Sequence, residues 1–367
     1  MGWVAWRAVE ATSGEVWREE PRGGYPDPRL VALSGRERMD TWKRGLSPVP
    51  PLFHLTGARP TGYGAGTADA EMPATGWLVS SAGVILGGAL AIVTDIAFGL
   101  SVQTELAAAT LYTTAELSLT YLRPLHPGGA VTASGQAIHV GRSVGLSEAF
   151  VIEHESDRLI AHGTSRLTIR PPLDPLPETP DDLNPVEPEK HPTPSPFQRP
   201  PAGEVIPQEV WAALPGAEIL SRQLAGELPS PPIYHLTGLT PTGYDEGRAT
   251  MRLPCTRWLS SPAATVQGGV TAMLADAAML TAVQTTTPAR TAIAGLDLKV
   301  NFLRPVFPDG RDLTAHGEVV HRGRTLAVTR AEILNADAKP VALATGSSMY
   351  LPDRPATLGE VELGSGQ

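Results

Sequence analysis

Two segments of the sequence combine a glycine doublet with an aspartate eight residues after its first glycine. Gly87-Gly88 precedes Asp95, and Gly268-Gly269 precedes Asp276. Each doublet opens an apolar run of the kind that forms a buried helix. Helix N-termini present unpaired backbone N–H groups and a positive dipole end, and glycine lets a ligand oxygen come close. The pattern therefore predicts a site that stabilises the negative charge formed when an acyl carbonyl is attacked.

The glycine and the aspartate of one segment cannot act on the same carbonyl carbon. Eight helical residues rise about 12 Å, which separates the two groups. If the two helices pack antiparallel, Asp276 faces Gly87 and Asp95 faces Gly268, which gives two composite sites. The alternatives are a buried structural carboxylate held by local hydrogen bonds and a glycine doublet that serves close packing.

The chain repeats itself at an offset of 181 residues. Residues 54–57, His-Leu-Thr-Gly, recur at 235–238, and Leu-Arg-Pro at 122–124 recurs at 303–305. A repeat of this length is a whole domain, so the chain is a duplicated domain. Between the copies, 13 of the 37 residues from Pro171 to Pro207 are proline, which favours an extended linker. We therefore predict domains at 27–170 and 207–351, joined by a linker at 171–206.

The predicted fold class is α+β. Each copy reads as a short helical or irregular segment, one strand, a long apolar helix and four further strands. In the second copy the helix is predicted from about Gly268 to Thr285. The strands are predicted near Ile293 to Phe302, Leu313 to His321, Ala327 to Leu334, and Val341 to Tyr350.

Composition excludes several classes of function. The net charge is −9, and 25 Arg and four Lys are scattered without a basic cluster, so nucleic acid is not an expected partner. The single cysteine, Cys255, and the lack of a signal peptide predict a cytoplasmic protein. The longest apolar run, Ala82 to Val93, is too short to span a membrane.

Both copies resemble the hotdog-fold thioesterase superfamily, specifically acyl-CoA thioesterases of the phenylacetate-degradation type. That pattern has an Asn-Pro turn, His-Gly-Gly, an Asp, a Thr or Ser at the next strand, an Asn-Phe-Leu-Arg-Pro-like strand end and a Gly-Arg hairpin. The second copy has Ser261-Pro262, Gln267-Gly268-Gly269, Asp276, Gly295, residues 301–305 (Asn-Phe-Leu-Arg-Pro) and Gly323-Arg324. The first copy has Ser80-Ser81, Leu86-Gly87-Gly88, Asp95, Thr114, residues 120–124 (Thr-Tyr-Leu-Arg-Pro) and Gly141-Arg142.

The resemblance implies two tandem hotdog domains, each a long central helix wrapped by an antiparallel sheet, with acyl-CoA bound between them. It implies that a glycine N–H binds the thioester oxygen and that the facing aspartate acts as general base or nucleophile. The site residues carried over are Asp95, Asp276, Gly268, Gly87, Gln267, Thr114, Ser261 and Ser80. No cofactor beyond the CoA of the substrate is expected.

Two departures from the family pattern make the predicted sites unequal. The histidine of the family is replaced by Leu86 in the first copy and by Gln267 in the second. The site around Asp95 keeps Gln267 and Thr114, whereas the site around Asp276 has Leu86 and Gly295. Because Gln267 and Thr114 can form hydrogen bonds, the residue types favour the Asp95 site.

Several other motifs are assigned structural roles. Residues 141–145 satisfy the G-x-S-x-G pattern, but they lie between two strands, where a hairpin turn is expected instead of a nucleophile elbow. Arg142 and Arg324 either reach CoA phosphates or lie in solvated turns. Histidines such as His54 and His235 lack metal-type spacing, so no metal site is predicted. Trp77 and Trp258 either pack in the core or line the acyl channel, and core packing is favoured.

Two classes of function stay open from the sequence. The first is hydrolysis of an acyl-CoA thioester at the composite sites. The second is a non-enzymatic module that binds acyl-CoA or lipid, because both copies lack the family's His and Asn. A hydratase would need an Asp and His pair, which does not repeat here. Hotdog relatives commonly assemble further, so the resemblance allows a homodimer of this chain.

Overall fold

In a computed structural model, which describes residues 14–187 and 191–358, twelve strands form one antiparallel sheet. The strands of the first half are β1 (Arg59–Gly64), β2 (Thr67–Pro73), β3 (Tyr112–Tyr121), β4 (Ala130–Val140), β5 (Val144–Glu153) and β6 (Arg158–Ile169). Those of the second half are β7 (Thr240–Asp245), β8 (Arg248–Pro254), β9 (Thr291–Phe302), β10 (Asp312–Arg322), β11 (Leu326–Leu334) and β12 (Pro340–Pro352).

The two halves are joined in the middle of this sheet. The strand order is β1-β2-β4-β5-β6-β3-β9-β12-β11-β10-β8-β7, so β3 and β9 are the central neighbours. They pair antiparallel over five residue pairs, with Leu119 opposite Leu298 and Leu117 opposite Val300. These four side chains are buried, so apolar packing accompanies the backbone ladder where the repeats meet.

The described part of the chain also forms seven α-helices: α1 (Gly35–Lys43), α2 (Pro51–Thr56), α3 (Leu90–Gln103), α4 (Gln208–Ala213), α5 (Gly216–Leu224), α6 (Pro232–Thr237) and α7 (Gly268–Gln284). The two long helices, α3 and α7, are buried almost all round, and each packs against the strands of its own half. A helix with apolar residues on every face belongs in the interior, which explains why apolar residues predominate in both sequences.

Helices α3 and α7 also contact each other, and glycine permits the close approach. A Cβ added at Gly269 would lie 2.3 Å from the Ala91 carbonyl oxygen and 2.7 Å from the Ile92 Cα. A Cβ at Gly88 would lie 2.8 Å from the Met273 Cα. Gly88 meets Met273, whereas Ala91, farther along the chain, meets Gly269, which precedes Met273. The pair is therefore antiparallel, as the sequence analysis supposed.

The α+β class and most predicted elements of the second copy are confirmed. The predicted helix at 268–285 is observed as Gly268–Gln284, and the four following strands agree within a few residues. One prediction was wrong, because two short strands precede each long helix where one was expected. Tight turns at Gly66 (φ +64°) and Gly247 (φ +73°) create these hairpins. Their first strands contain Pro and Gly, which mask the alternation typical of strands.

The N-terminal segment and the proline-rich linker join the two halves near the two tryptophans. Trp77 and Trp258 are buried, which confirms their packing role. The Trp77 indole donates to the Arg199 carbonyl at 2.9 Å, and the Trp258 indole donates to the Glu19 carbonyl at 3.0 Å. Arg199 and Glu19 form an ion pair at 2.8 Å. The boundaries at 170–171 and 206–207 stay predictions.

No helix among the described residues has the length and apolar character needed to cross a lipid bilayer.

The helix contact predicts a large effect for Gly269→Ala. The new Cβ would meet backbone atoms of α3, which cannot rotate away, so we expect the free energy of unfolding to fall by about 1–3 kcal/mol. Urea denaturation measures this loss. Gly243→Ala is the matched control, since a Cβ there meets nothing within 4 Å. Equal stability of the two variants would contradict the close packing.

Candidate active sites at the helix pair

Asp95 and Asp276, which occupy equivalent positions in the two repeats, each contact the glycine doublet of the other half. The Asp276 carboxylate accepts a hydrogen bond from the Gly88 N–H at 2.7 Å. The Asp95 carboxylate accepts one from the Gly269 N–H at 3.2 Å and another from the Thr114 hydroxyl at 2.9 Å. The antiparallel helices therefore bring together the groups that the sequence analysis paired across the two halves.

Both carboxyl groups are buried, and burial raises the pKa of each. Desolvation raises the pKa of Asp276 to about 7; the Gly88 N–H opposes this shift and the negative charge of Asp297 adds to it. The pKa of Asp95 is also raised by burial, against hydrogen bonds from Thr114, Gly269 and Gly268. Asp276 has fewer donors to stabilise its charged form, so it can exchange a proton near neutral pH.

A pocket of about 260 Å³ opens at the Asp276 end of the helix pair. Apolar side chains from both halves line much of it, among them Leu86, Leu90, Leu125, Ile233, Leu280 and Ile293. Asp276 and Gly87 line the same pocket. A carboxylate and a helix start therefore face a mostly apolar cavity, an arrangement suited to a ligand with one polar reacting group and an apolar tail.

The structure divides the predicted site residues between the two ends. Gly87, Ser80, Leu86 and Gly295 lie in the pocket wall with Asp276. The Ser80 hydroxyl donates back to the Val84 carbonyl at 2.9 Å, which stabilises the turn before the helix.

At the other end, Thr114 and Gln267 lie beside Asp95 and Ile92. The Gln267 amide nitrogen donates to the Ile92 carbonyl at 2.9 Å, while its amide oxygen is buried and has no hydrogen-bond partner within residues 14–187 and 191–358. The Ser261 hydroxyl lies 3.4 Å from that of Thr265. Gln267 is thus engaged with the α3 backbone, a role that its type alone did not indicate.

Arg142 and Arg324 lie in exposed turns between β4 and β5 and between β10 and β11. Neither lines the pocket around Asp276. The G-x-S-x-G sequence at 141–145 occupies the first of these turns, as predicted, with no helix following it. Among residues 14–187 and 191–358, no three His, Cys, Asp or Glu side chains are placed to hold a metal ion.

Sequence reasoning missed three aromatic residues of the pocket. Tyr121, at the end of β3, Trp211, in α4, and Tyr234, in α6, all line it. Tyr121 had a detectable signal, because its repeat equivalent is Phe302 and the two differ by one hydroxyl. Trp211 had none, since its helix precedes the motif-bearing part of the second copy.

Family comparison finds the same type of domain twice in this chain. Residues 82–159 and residues 264–342 each match the model of the thioesterase superfamily. Over these two regions both halves match the thioesterase superfamily. The matches include Asp95 and Asp276 with the helices that carry them, and the superfamily supports thioester hydrolysis as the general reaction.

Solved structures resemble the whole chain or one half of it. A TesB protein from Mycobacterium avium subspecies paratuberculosis is 14% identical, with a TM-score of 0.51, and the match covers 82% of this chain and 98% of that protein. An acyl-CoA thioesterase II, TesB2, from Mycobacterium marinum is 13% identical, with a TM-score of 0.48 and coverage of 82% and 97%. The E. coli PaaI protein of the phenylacetic acid degradation operon is 27% identical, with a TM-score of 0.33 and coverage of 37% and 94%.

No curated protein matches the sequence of this chain. The family matches and the likeness to the M. avium protein over most of both chains confirm the predicted fold of two tandem hotdog domains, each with its central helix against an antiparallel sheet.

The raised pKa of Asp276 predicts a pH-dependent gain in stability for Asp276→Asn. The folded protein holds this proton up to about pH 7, whereas the unfolded chain releases it near the ordinary value of 3.8. Wild-type stability therefore falls as pH rises between these values, at up to about 1.4 kcal/mol per pH unit. We expect the variant to be more stable than wild type at pH 8 and equal to it below pH 4.

Thermal unfolding at several pH values measures this difference. Asp245→Asn, which removes an exposed carboxylate, is the control for the change in net charge. A variant that is equally or less stable than wild type across the whole range would show that Asp276 is not held protonated by burial.

Proposed function

We propose that this protein hydrolyses acyl-CoA thioesters at the site between Asp276 and the Gly87-Gly88 helix start. The observation that carries the proposal is the buried Asp276 carboxyl group, which faces a helix N-terminus of the other domain inside an apolar pocket. The match of both halves to the thioesterase superfamily supports the reaction class. The resemblance of both copies to acyl-CoA thioesterases of the phenylacetate-degradation type favours acyl-CoA as the substrate class.

The carbonyl oxygen of the thioester is proposed to bind at the N–H of Gly87. This N–H stands at the first position of a helical turn, Gly87–Ala89, where no intrahelical acceptor exists. The Gly88 N–H is already used by Asp276. The first N–H can therefore stabilise the oxyanion, while the second holds the carboxylate in place.

Asp276 is proposed to act as general base. Its carboxylate removes a proton from water as the water oxygen bonds to the thioester carbon, and the carbonyl oxygen becomes an oxyanion. When the carbonyl reforms, the C–S bond breaks, and the CoA thiolate leaves and takes up the proton from Asp276. A pKa of about 7 suits both halves of this exchange, since a base near the working pH accepts and returns a proton with little loss of driving force.

The structure favours the Asp276 site over the Asp95 site, whereas the residue types favoured the Asp95 site. From the residue types, the hydrogen-bonding side chains of Thr114 and Gln267 made the Asp95 site the one expected to be more active. Thr114 donates to Asp95, and Gln267 donates to the backbone of Ile92, so both groups are engaged within the protein. The described cavity opens at Asp276, and we therefore propose Asp276 as the principal base.

The experiment compares Asp276→Asn with Asp95→Asn on a panel of short, medium, long-chain and aromatic acyl-CoAs. Release of free CoA thiol measures turnover. Loss of the general base is expected to lower kcat by about 10²–10⁴-fold in Asp276→Asn, with a smaller loss in Asp95→Asn.

The outcomes separate three interpretations. A larger loss in Asp95→Asn would restore the ranking from residue types and contradict the Asp276 assignment. Wild-type protein that binds acyl-CoA but releases no thiol from any member of the panel would make it the non-enzymatic binding module.

A further inference from the structure

The hydroxyl group of Tyr121 is a buried polar group that the mechanism above leaves unused. The ring keeps partial exposure toward the pocket, but the hydroxyl oxygen is buried and has no hydrogen-bond partner among the described residues. Most buried hydroxyl groups in folded proteins have a partner, because burial without one is unfavourable. An unpartnered donor on a residue of the pocket wall indicates a hydrogen-bond partner that the described protein groups do not supply.

The tyrosine lies beside both groups of the proposed site. The position that a Cβ would take on Gly87 is 3.3 Å from the Tyr121 Cζ and 3.5 Å from an Asp276 carboxylate oxygen. The carbon that bears the hydroxyl and the carboxylate thus flank the same point at the helix start. A Cβ on Gly295 would lie 3.7 Å from the Tyr121 ring, so the ring also covers the strand position that lacks a side chain.

We propose that Tyr121 is a catalytic residue whose O–H donates a hydrogen bond to the thioester carbonyl oxygen, as the second donor of the oxyanion site beside the Gly87 N–H. This assignment rests on the proposed hydrolysis at Asp276. Both donors come from the first domain and the base comes from the second, so each domain supplies a distinct part of the chemistry.

The surroundings keep this hydroxyl in its donor form. Burial raises the pKa of Tyr121 well above 10, and the negative charges of Asp276 and Asp297 act in the same direction. The phenol therefore stays protonated while Asp276 titrates near neutral pH. A neutral donor directed at the developing charge stabilises the transition state more than the uncharged ground state.

The repeat shows that this donor belongs to one site only. Phe302 occupies the equivalent position and contacts Gly268, where a Cβ would lie 3.4 Å from the ring. The Asp95 end has the Thr114 hydroxyl instead, and that hydroxyl is bonded to Asp95. The Thr114 hydroxyl is thus engaged by its carboxylate, whereas the Tyr121 hydroxyl has no hydrogen-bond partner among the described residues.

Tyr121→Phe tests the assignment, because it removes one oxygen and leaves the ring. We expect kcat to fall by about 10²-fold with little change in KM, as for the loss of one oxyanion donor. We also expect the melting temperature to stay equal or rise, since the lost hydroxyl has no partner in the folded protein.

Tyr350→Phe is the matched control, since the Tyr350 hydroxyl is buried, bonded to the Thr286 hydroxyl at 2.6 Å, and outside the pocket wall. This variant should lose stability and keep kcat.

Two non-hydrolysable CoA analogues extend the test to binding. A ketone analogue keeps the carbonyl group, and a thioether analogue lacks it. Tyr121→Phe should weaken binding of the ketone analogue and leave binding of the thioether analogue unchanged. If the wild type hydrolyses acyl-CoA and Tyr121→Phe has the same kcat, the role of Tyr121 is overturned and the proposed hydrolysis stands. If the wild type shows no turnover and binds neither analogue, both the proposed hydrolysis and the role of Tyr121 are contradicted.

Discussion

The contact between α3 and α7 determines where every proposed functional group lies. Two backbones approach closely at Gly88 and Gly269, and at that separation a carboxylate on one helix meets the first turn of the other. Larger side chains at either glycine would hold the helices apart and break both contacts. Gly88 and Gly269 therefore allow close helix packing and, in the proposed mechanism, also position the carboxylates. Close packing was the alternative role of the glycine doublets, and here it is part of the candidate site.

Duplication within one chain allows the two ends of this contact to differ. In a symmetric dimer of identical domains, every change would appear at both ends. Here Gly295 replaces the equivalent of Thr114, Tyr121 replaces the equivalent of Phe302, and Leu86 replaces the equivalent of Gln267. An open apolar pocket and a hydroxyl without a partner among the described residues lie beside Asp276, while the donor groups of Thr114 and Gln267 at the Asp95 end bond to the protein itself.

The sequence predicted the features that depend on residue type and spacing and do not depend on tertiary contacts. The repeat and the helix starts at Gly87 and Gly268 followed from periodicity and glycine, and the rise of a helix required a shared site, for which antiparallel helices were the arrangement considered. The roles of Gln267 and Tyr121 could not be obtained that way, because they depend on which tertiary partner each side chain meets. The Gln267 amide nitrogen donates to the Ile92 carbonyl, whereas the Tyr121 hydroxyl has no partner in the described part of the chain. The contribution of Trp211 depended on how the segment before the second domain packs over the pocket.

A crystal structure of the protein bound to the ketone analogue of an acyl-CoA would test the central claim most directly. The account predicts the ketone oxygen within hydrogen-bonding distance of the Gly87 nitrogen and the Tyr121 hydroxyl, with the Asp276 carboxylate beside the carbonyl carbon and the acyl chain in the apolar pocket. An analogue whose carbonyl group binds at Asp95 and Gly268 instead, or away from both aspartates, would contradict it.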